Sequence, residues 1–320
     1  MSFIEVKDLK VHYPIRGGFF NKVIDHVYAV DGVSLIIEEG KTYGLVGESG
    51  SGKSTIGKAI IGLEKIKNGK IIYEGKEIDG KFRNRRSEYN RNVQMIFQDS
   101  LSSLNPKKRV IDLISEPLRN FENLTSDEEK RKVSELLEIV GMNREDIYKY
   151  PHEFSGGQRQ RLGIARAVAT KPKLIIADEP VSALDLSVQA QVLNYMKDIQ
   201  EQFGLSYLFI SHDLGVVKHM CDYMFIMYRG RFVETGTKND IYKNPEHFYT
   251  KRLIAAIPEV HPEKRLENKK RRIEIEKEYL KNEKKYYDEN GRVFDLKKLT
   301  DTHFVALKDE IMKNNGKGGK

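Results

Sequence analysis

The chain of 320 residues, 39% hydrophobic and 32% charged, has room for one large domain or two ordinary ones and for a genuine core. Its single cysteine, Cys221, excludes an intrachain disulfide and a cysteine metal cluster within the chain, and no apolar run is long enough to span a bilayer. The net charge of +8 suits an anionic membrane surface or a lysine-rich proteome; no nucleic-acid module accompanies the basic residues, so nucleic acid is not an expected partner.

Met1-Ser2-Phe3-Ile4-Glu5-Val6 lacks the basic and apolar regions of a secretion signal, so the cytosol is the expected compartment. Phe3 to Leu9 alternates apolar and polar residues and predicts a strand. It leads to Tyr13, an exposed aromatic before a loop, and the glycine-containing stretch Ile15 to Tyr28 reads as an irregular hairpin or insertion. Ala29 to Ile37 predicts a second strand. Glu39-Gly40 then turns the chain into the short apolar strand Thr42 to Val46.

Gly47-Glu48-Ser49-Gly50-Ser51-Gly52-Lys53-Ser54-Thr55 follows that strand and matches G-x-x-x-x-G-K-[ST], the phosphate-binding P-loop. Thr55 to Leu63 carries apolar residues at helical spacing, so the loop lies between a strand and a helix, as its chemistry requires. The glycines let backbone N–H groups close around phosphate oxygens, and the helix N-terminus adds partial positive charge. Lys53 is placed to reach the β- and γ-phosphates and the Ser54 hydroxyl to ligate Mg²⁺. These residues predict a bound nucleoside triphosphate.

Two hairpin-like strands are expected around Lys70 to Ile78, with Asn68-Gly69 as the turn. Val93 to Phe97 is a compact strand ending at Gln98, and Asp99 to Pro106 is a loop. From Val110 to about Val140 the spacing is helical, with Ser126-Asp127-Glu128-Glu129 as a helix start. Ser155-Gly156-Gly157-Gln158 opens a helix running to about Ala169, which again offers free N–H groups to an anion. Alone, Ser-Gly-Gly serves more often as a plain loop and helix cap.

Leu174 to Ala177 is a buried strand ending in Asp178-Glu179, the Walker B pattern. The first carboxylate can hold Mg²⁺ through water and the second can polarise the attacking water; the plainer alternative is a strand end with acids capping the next helix. Asp185 precedes a helix from Ser187 to about Phe203. Tyr207 to Ile210 is another buried strand, and His212 beyond its C-terminal end points into the crevice shared with the other strand ends. Strands follow around Tyr223 to Thr235, then a helix from Phe248 to Ile257. Beyond Pro258 the chain is lysine- and glutamate-rich, which predicts a solvated helix over Glu263 to Asn290. Val293-Phe294 and His303 to Leu307 are candidate strands folding back, and Asn314 to Lys320 is expected to be disordered.

The order P-loop, Gln98, Ser-Gly-Gly-Gln, Asp178-Glu179, Asp185, His212 resembles the ATP-binding cassette (ABC) ATPases over roughly Phe3 to Pro258. Phe97-Gln98-Asp99, Tyr150-Pro151-His152-Glu153-Phe154-Ser155-Gly156-Gly157-Gln158 and Asn244-Pro245-Glu246-His247-Phe248-Tyr249-Thr250 are similar to the oligopeptide/dipeptide importer branch, and within it to the second ATPase subunit of an oligopeptide permease. Two departures stand out. The C-terminal cysteines that resemble iron–sulfur ligands in many members are absent, so no cluster is expected. Ser100 replaces a usual proline, which makes that loop less rigid.

The resemblance implies an α/β P-loop NTPase core with an antiparallel β subdomain. It also implies residues 1–258 as the ATP-binding domain, a helical subdomain near 106–161, and 259–320 as a charged C-terminal extension. The implied activity is ATP hydrolysis that drives oligopeptide import, with ATP and Mg²⁺ as cofactors. Tyr13 would stack on adenine, Gln98 would contact Mg²⁺ and the water, and Glu179 would be the base. His212 would contact the γ-phosphate, Ser155, Gly156, Gly157 and Gln158 would cap the γ-phosphate of an opposite subunit, and Asp185 would order the dimer interface. The implied partners are a sibling ABC ATPase subunit in a heterodimer, two transmembrane permease subunits and, through the complex, an extracellular peptide-binding protein. The expected location is the cytoplasmic face of the cell membrane. Dipeptide, nickel, glutathione or murein peptide stays open as cargo. A soluble ABC ATPase of translation or DNA repair is the other alternative, disfavoured by the single uninterrupted cassette.

Overall fold

The computed structural model describes residues 2–18, 21–78, 87–99, 103–257 and 265–308. Its first element is a long two-stranded ribbon, β1 (Ser2–Gly17) and β2 (Lys22–Glu38). Of the two readings of Ile15 to Tyr28, an irregular hairpin or an insertion, the structure has the hairpin: Tyr13 pairs with Val27 and Gly17 with Lys22, with a register shift between Ile15 and Arg16. β-branched Ile15, Val23, Ile24 and Val27 favour extended backbone, and Gly18 and Asn21 take the positive φ that the turn demands. Tyr13 consequently lies within a strand, not before a loop.

After β3 (Thr42–Val46), the hairpin of β4 (Asn68–Tyr73) and β5 (Lys76–Glu77) joins the ribbon in an antiparallel sheet of order β2-β1-β4-β5. Its turn is Glu74-Gly75, both at positive φ as a tight two-residue hairpin turn requires, and not Asn68-Gly69. Gly69 instead lets β4 approach β1, where a Cβ would meet the Asp8 carbonyl oxygen at 2.4 Å.

The main sheet is built on β3, all five residues of which are buried. It pairs in parallel with β8 (Ser206–Ser211) and β9 (Tyr223–Tyr228), β8 with β7 (Leu174–Asp178), and β7 with β6 (Val93–Ile96). Their near-continuous apolar character is what a parallel sheet covered on both faces needs. Helices α1 (Lys53–Ile60) and α2 (Glu88–Asn92) lead into and out of the first crossover. The second of these was not expected from the sequence, being only one turn of polar residues.

Residues 110–168 form the helical part: α3 (Val110–Phe121), α4 (Ser126–Ile139), two 3-10 turns and α5 (Gly156–Val168). Leu113, Ile114 and Leu118 of α3 and Val133, Leu136 and Leu137 of α4 share one core with Leu162, Ala165 and Val168 of α5. The α4 start falls at Ser126 as expected, and Thr125 before it closes a full capping box with Glu128. Then come α6 (Leu186–Phe203) and α7 (Leu214–Met220), flanking β8.

Beyond β10 (Arg231–Thr237) the chain adds α8 (Lys238–Lys243), α9 (Phe248–Ala255) and α10 (Arg265–Asn282). The solvated helix expected here is α10, and it is anchored: Tyr279 stacks on Phe248 with ring centroids 3.9 Å apart, and Glu276 pairs with Arg252 at 3.1 Å. β11 (Leu296–Lys298) and β12 (Phe304–Ala306) then return to the main sheet, β12 pairing antiparallel with β10. The eight-stranded order is β11-β12-β10-β9-β3-β8-β7-β6. Val293 makes only a single bridge to Tyr287, so the expected strand there begins later. The substituted Ser100, the boundary at residues 258–259 and the tail from Asn314 lie outside the described residues.

Candidate functional site

The parallel strands β3, β7 and β8 end at one edge of the sheet, and the chain's polar strand-end residues gather there. β3 runs into the P-loop at Gly47, where a side chain is excluded: a Cβ would lie 2.2 Å from the Met227 carbonyl oxygen. Gly52 caps α1 at φ 106° with Ala29 O 2.0 Å from where a Cβ would lie, a conformation and approach only glycine accepts. Between them the loop folds around the Lys53 ammonium, which donates to Glu48 O at 2.8 Å and lies 3.5 Å from Ser51 Oγ. Lys53 is buried, and that burial pulls its pKa down against the upward pull of Glu179, Asp178 and Glu48.

β7 delivers two acids to the same place. Asp178 Oδ1 accepts the Ser54 hydroxyl at 2.7 Å. Burial pushes the Asp178 carboxyl up, Ser54 pulls it down, and neighbouring Glu179 adds to the rise. An anion beside Lys53 and a cation beside Asp178 would oppose these two shifts, since an opposite charge favours the charged form.

Glu179 stands one residue beyond the strand at φ 46°, in the left-handed region, with its N–H held by Ile210 O at 2.9 Å. Non-glycine residues adopt that conformation at a cost that functional sites retain. Its carboxylate is gripped from both sides, by Gln98 Nε2 at 3.0 Å and His212 Nδ1 at 3.1 Å. Gln98 follows β6 and His212 follows β8, so three strand ends converge on one carboxylate.

The resulting crevice encloses about 590 Å³, within the usual size of a small-molecule site. Glu48, Ser49, Gly50, Gly52, Lys53, Ser54, Thr55, Gln98, Glu179 and His212 wall it, together with Ala29 and Leu253. Tyr13 stands beside these walls, exposed as expected, its phenol pushed up in pKa by partial desolvation and facing Thr55 and Glu64. The donor set at Ser54, Asp178 and Gln98 consists of hard oxygens with one carboxylate. Mg²⁺ favours such a set, completed by water and phosphate.

The signature residues are not brought to this crevice. Ser155 caps α5, its hydroxyl accepting from Gln158 N at 3.3 Å while Gln158 Oε1 accepts from Ser155 N at 2.9 Å. Gly157 is pressed against α6, where a Cβ would lie 2.4 Å from Val188 Cγ1, and exposed Gly156 is open. Asp185, at the N-cap of α6, makes no cap hydrogen bond with its side chain. Exposed Ser155, Gly156 and Asp185 form a second group apart from the crevice, with Gly157 buried beneath them.

Sequence reasoning missed Ala29, Leu253 and Tyr249. Tyr249 is buried and its phenol accepts the Glu48 N–H at 2.9 Å. It lies in the run Asn244 to Thr250 that carries the family resemblance, but nothing in that run singles out its phenol. Ala29 and Leu253 carry no chemistry, and only tertiary packing places them.

A family model for ABC transporters matches residues 30–182, and one for the C-terminal region of oligopeptide/dipeptide transporters matches 233–289. The oligopeptide transport ATP-binding protein OppF of Lactococcus lactis subsp. lactis is 57% identical over 306 residues, covering 96% of this chain and 96% of that protein. OppF of Salmonella typhimurium is 49% identical over 271 residues, 84% of this chain and 80% of its own length. The dipeptide transport ATP-binding protein DppF of Escherichia coli is 45% identical over 267 residues, 83% and 80% respectively. Among solved structures, the dimeric post-hydrolysis state of the ATP-binding cassette MJ0796 bound to ADP and Pi matches with a TM-score of 0.64 at 25% identity. It covers 73% of this chain and 98% of that one. With identity of this extent along nearly its whole length, the chain belongs to the ABC transporter ATPases, in the branch of the oligopeptide transport ATP-binding proteins.

Proposed function

We propose that this ATPase energises the import of oligopeptides, working with a sibling ATPase subunit on two transmembrane permease subunits fed by an extracellular peptide-binding protein. The observation that carries the hydrolytic reading is the Glu179 carboxylate fixed between Gln98 and His212 at the mouth of the P-loop crevice. The peptide cargo rests on similarity to proteins named for oligopeptide transport and on the C-terminal region they share. No helix among the described residues is long and apolar enough to cross a membrane. A peripheral place at the cytoplasmic face, on separate membrane subunits, accords with that.

In this reading the loop N–H groups of Gly47 to Thr55 and the Lys53 ammonium hold the β- and γ-phosphates, and Tyr13 stacks on adenine. Ser54, Asp178 and Gln98 would hold Mg²⁺, which when bound supplies charge neutralisation on the phosphate oxygens. Glu179 orients the attacking water and takes its proton on a carboxylate oxygen; Gln98 and His212 keep that carboxylate aimed, and His212 also faces the γ-phosphate. Phosphoryl transfer to water needs little more than positioning and electrostatics. Ser155, Gly156, Gly157 and Gln158, which do not line this chain's own crevice, would close the site of an opposing subunit, with Asp185 ordering the interface. The dimeric state of the MJ0796 cassette supports that arrangement.

The test is uptake of labelled oligopeptide into vesicles carrying the assembled transporter. Lys53→Ala should abolish uptake and ATP turnover together. ATP turnover stimulated by glutathione or nickel and not by oligopeptides would reassign the cargo, and absence of any ATP turnover would sink the hydrolytic reading.

A further inference from the structure

The loop that carries Lys53 is gripped at two backbone points by the chain that follows β9. Gly230, in the turn before β10, donates its N–H to Ser51 O at 3.0 Å. Tyr249, in the first turn of α9, accepts the Glu48 N–H on its phenol oxygen at 2.9 Å. The second grip bears directly on Lys53, because the carbonyl of that same Glu48 holds the ammonium at 2.8 Å. Fixing the Glu48 residue therefore fixes where the lysine is tethered. Burial raises the Tyr249 phenol pKa, which keeps it a neutral hydroxyl, and its ring packs on Tyr228 with centroids 4.5 Å apart.

Tyr249 is itself positioned by a buried polar chain that starts in the C-terminal segment. His303, immediately before β12, places Nε2 2.7 Å from Glu234 Oε1 of β10, and both residues are buried. Glu234 then accepts the N–H groups of Glu246 at 2.8 Å and His247 at 3.1 Å, which open α9. His247 Nδ1 accepts the Tyr249 N–H at 3.2 Å. Burial holds His247 neutral, its pKa down at about 3, so that nitrogen keeps the lone pair it needs. The path from β12 to the P-loop is continuous: His303, Glu234, the start of α9, Tyr249, Glu48. A buried carboxylate that loses its partner is strongly penalised, so the path depends on every member.

We propose that Tyr249 is a positioning residue for the phosphate loop and that the C-terminal strand, through His303 and Glu234, holds it in place, so that residues beyond 265 set nucleotide affinity. The proposal rests on the reading of the crevice as the ATP site. Wild type, Tyr249→Phe, His303→Gln and the double variant are compared as full chains. Two measurements are made: Mg·ATP affinity, and hydrogen exchange of the peptide covering residues 44–54 without nucleotide. Tyr249→Phe keeps the ring and removes only the acceptor.

Each single variant should bind Mg·ATP about fivefold more weakly, the effect of one lost hydrogen bond. Each should also speed exchange in residues 44–54. The double variant should be little worse than either single, since both break one path. A merely structural role for His303 would leave that peptide no more affected than the rest of the chain. Wild-type affinity and exchange in Tyr249→Phe, or fully additive losses, would overturn the proposal. If His303→Gln does not fold, Glu234→Gln takes its place. A wild-type chain that bound no Mg·ATP would defeat the functional reading, while the exchange comparison would still decide the positioning of the loop.

Discussion

Glu179→Gln isolates the proton-accepting step from every other part of the site. The substitution keeps shape, and the amide can retain both neighbours by turning its oxygen to Gln98 Nε2 and its NH₂ to His212 Nδ1, now 3.0 and 3.1 Å from the carboxylate. Lys53, Ser54 and Asp178, which lie on the phosphate and cation side, are untouched, so ATP binding should stay close to wild type. What is lost is a base within reach of the attacking water. A positioned general base contributes about 10²–10⁴ in rate, or roughly 3–5 kcal/mol at 1.36 kcal/mol per decade. Turnover by the assembled transporter should fall by that factor while occluded ATP accumulates. The assay is phosphate release at saturating ATP, run beside nucleotide occlusion in the same preparation. Turnover within about threefold of wild type, far outside the range for a general base, would show that another group takes the proton.

Ser155→Arg in this subunit should disable the ATP site of the opposing subunit and spare its own, while Lys53→Ala does the reverse. Nucleotide occlusion scored per subunit separates them, and an unaffected opposing site would end the shared-site arrangement. Gly157→Val should cost about 1–3 kcal/mol of stability through overpacking, because a Cβ already lies 2.4 Å from Val188 Cγ1; denaturant unfolding measures it. The His303–Glu234 pair gives a pH signature. Burial works against the His303 imidazolium, but the Glu234 carboxylate outweighs it and the net shift is upward from 6.5. A raised folded pKa means the pair's stabilisation is complete below about 6.5 and is lost as pH rises through the higher folded value. Melting temperatures across that window should therefore fall more steeply for wild type than for His303→Gln, and parallel curves would refute it.

The candidate site was legible to an unusual degree because its chemistry is carried by short contiguous stretches. The P-loop needs its glycines, lysine and serine at fixed spacing, and the structure adds the reason: backbone carbonyls of Met227 and Ala29 press on Gly47 and Gly52. Asp178, Glu179 and His212 were readable as polar residues ending apolar runs. A parallel strand buried on both faces has no alternating pattern to misread. The helices of residues 110–139 announced themselves by spacing and by the start signal Ser126-Asp127-Glu128-Glu129; the Thr125 cap came from the structure.

Tertiary structure alone decided what depends on contacts between distant residues. Nothing local distinguishes Asn68-Gly69 from a hairpin turn; it became the start of β4 because β1 approaches too closely for a side chain there. Ile15 to Tyr28 left an irregular hairpin and an insertion both open, and the pairing of the two strands of the ribbon decides for the hairpin. The return of β12 to β10, the buried Glu234–His303 pair and the Tyr249 hold on Glu48 join residues 69, 69 and 201 positions apart. Local sequence encodes the periodicity of an element and the chemistry of a contiguous loop. Sheet order and buried polar pairing are set by which surfaces meet when the whole chain closes, and no window of adjacent residues contains that information.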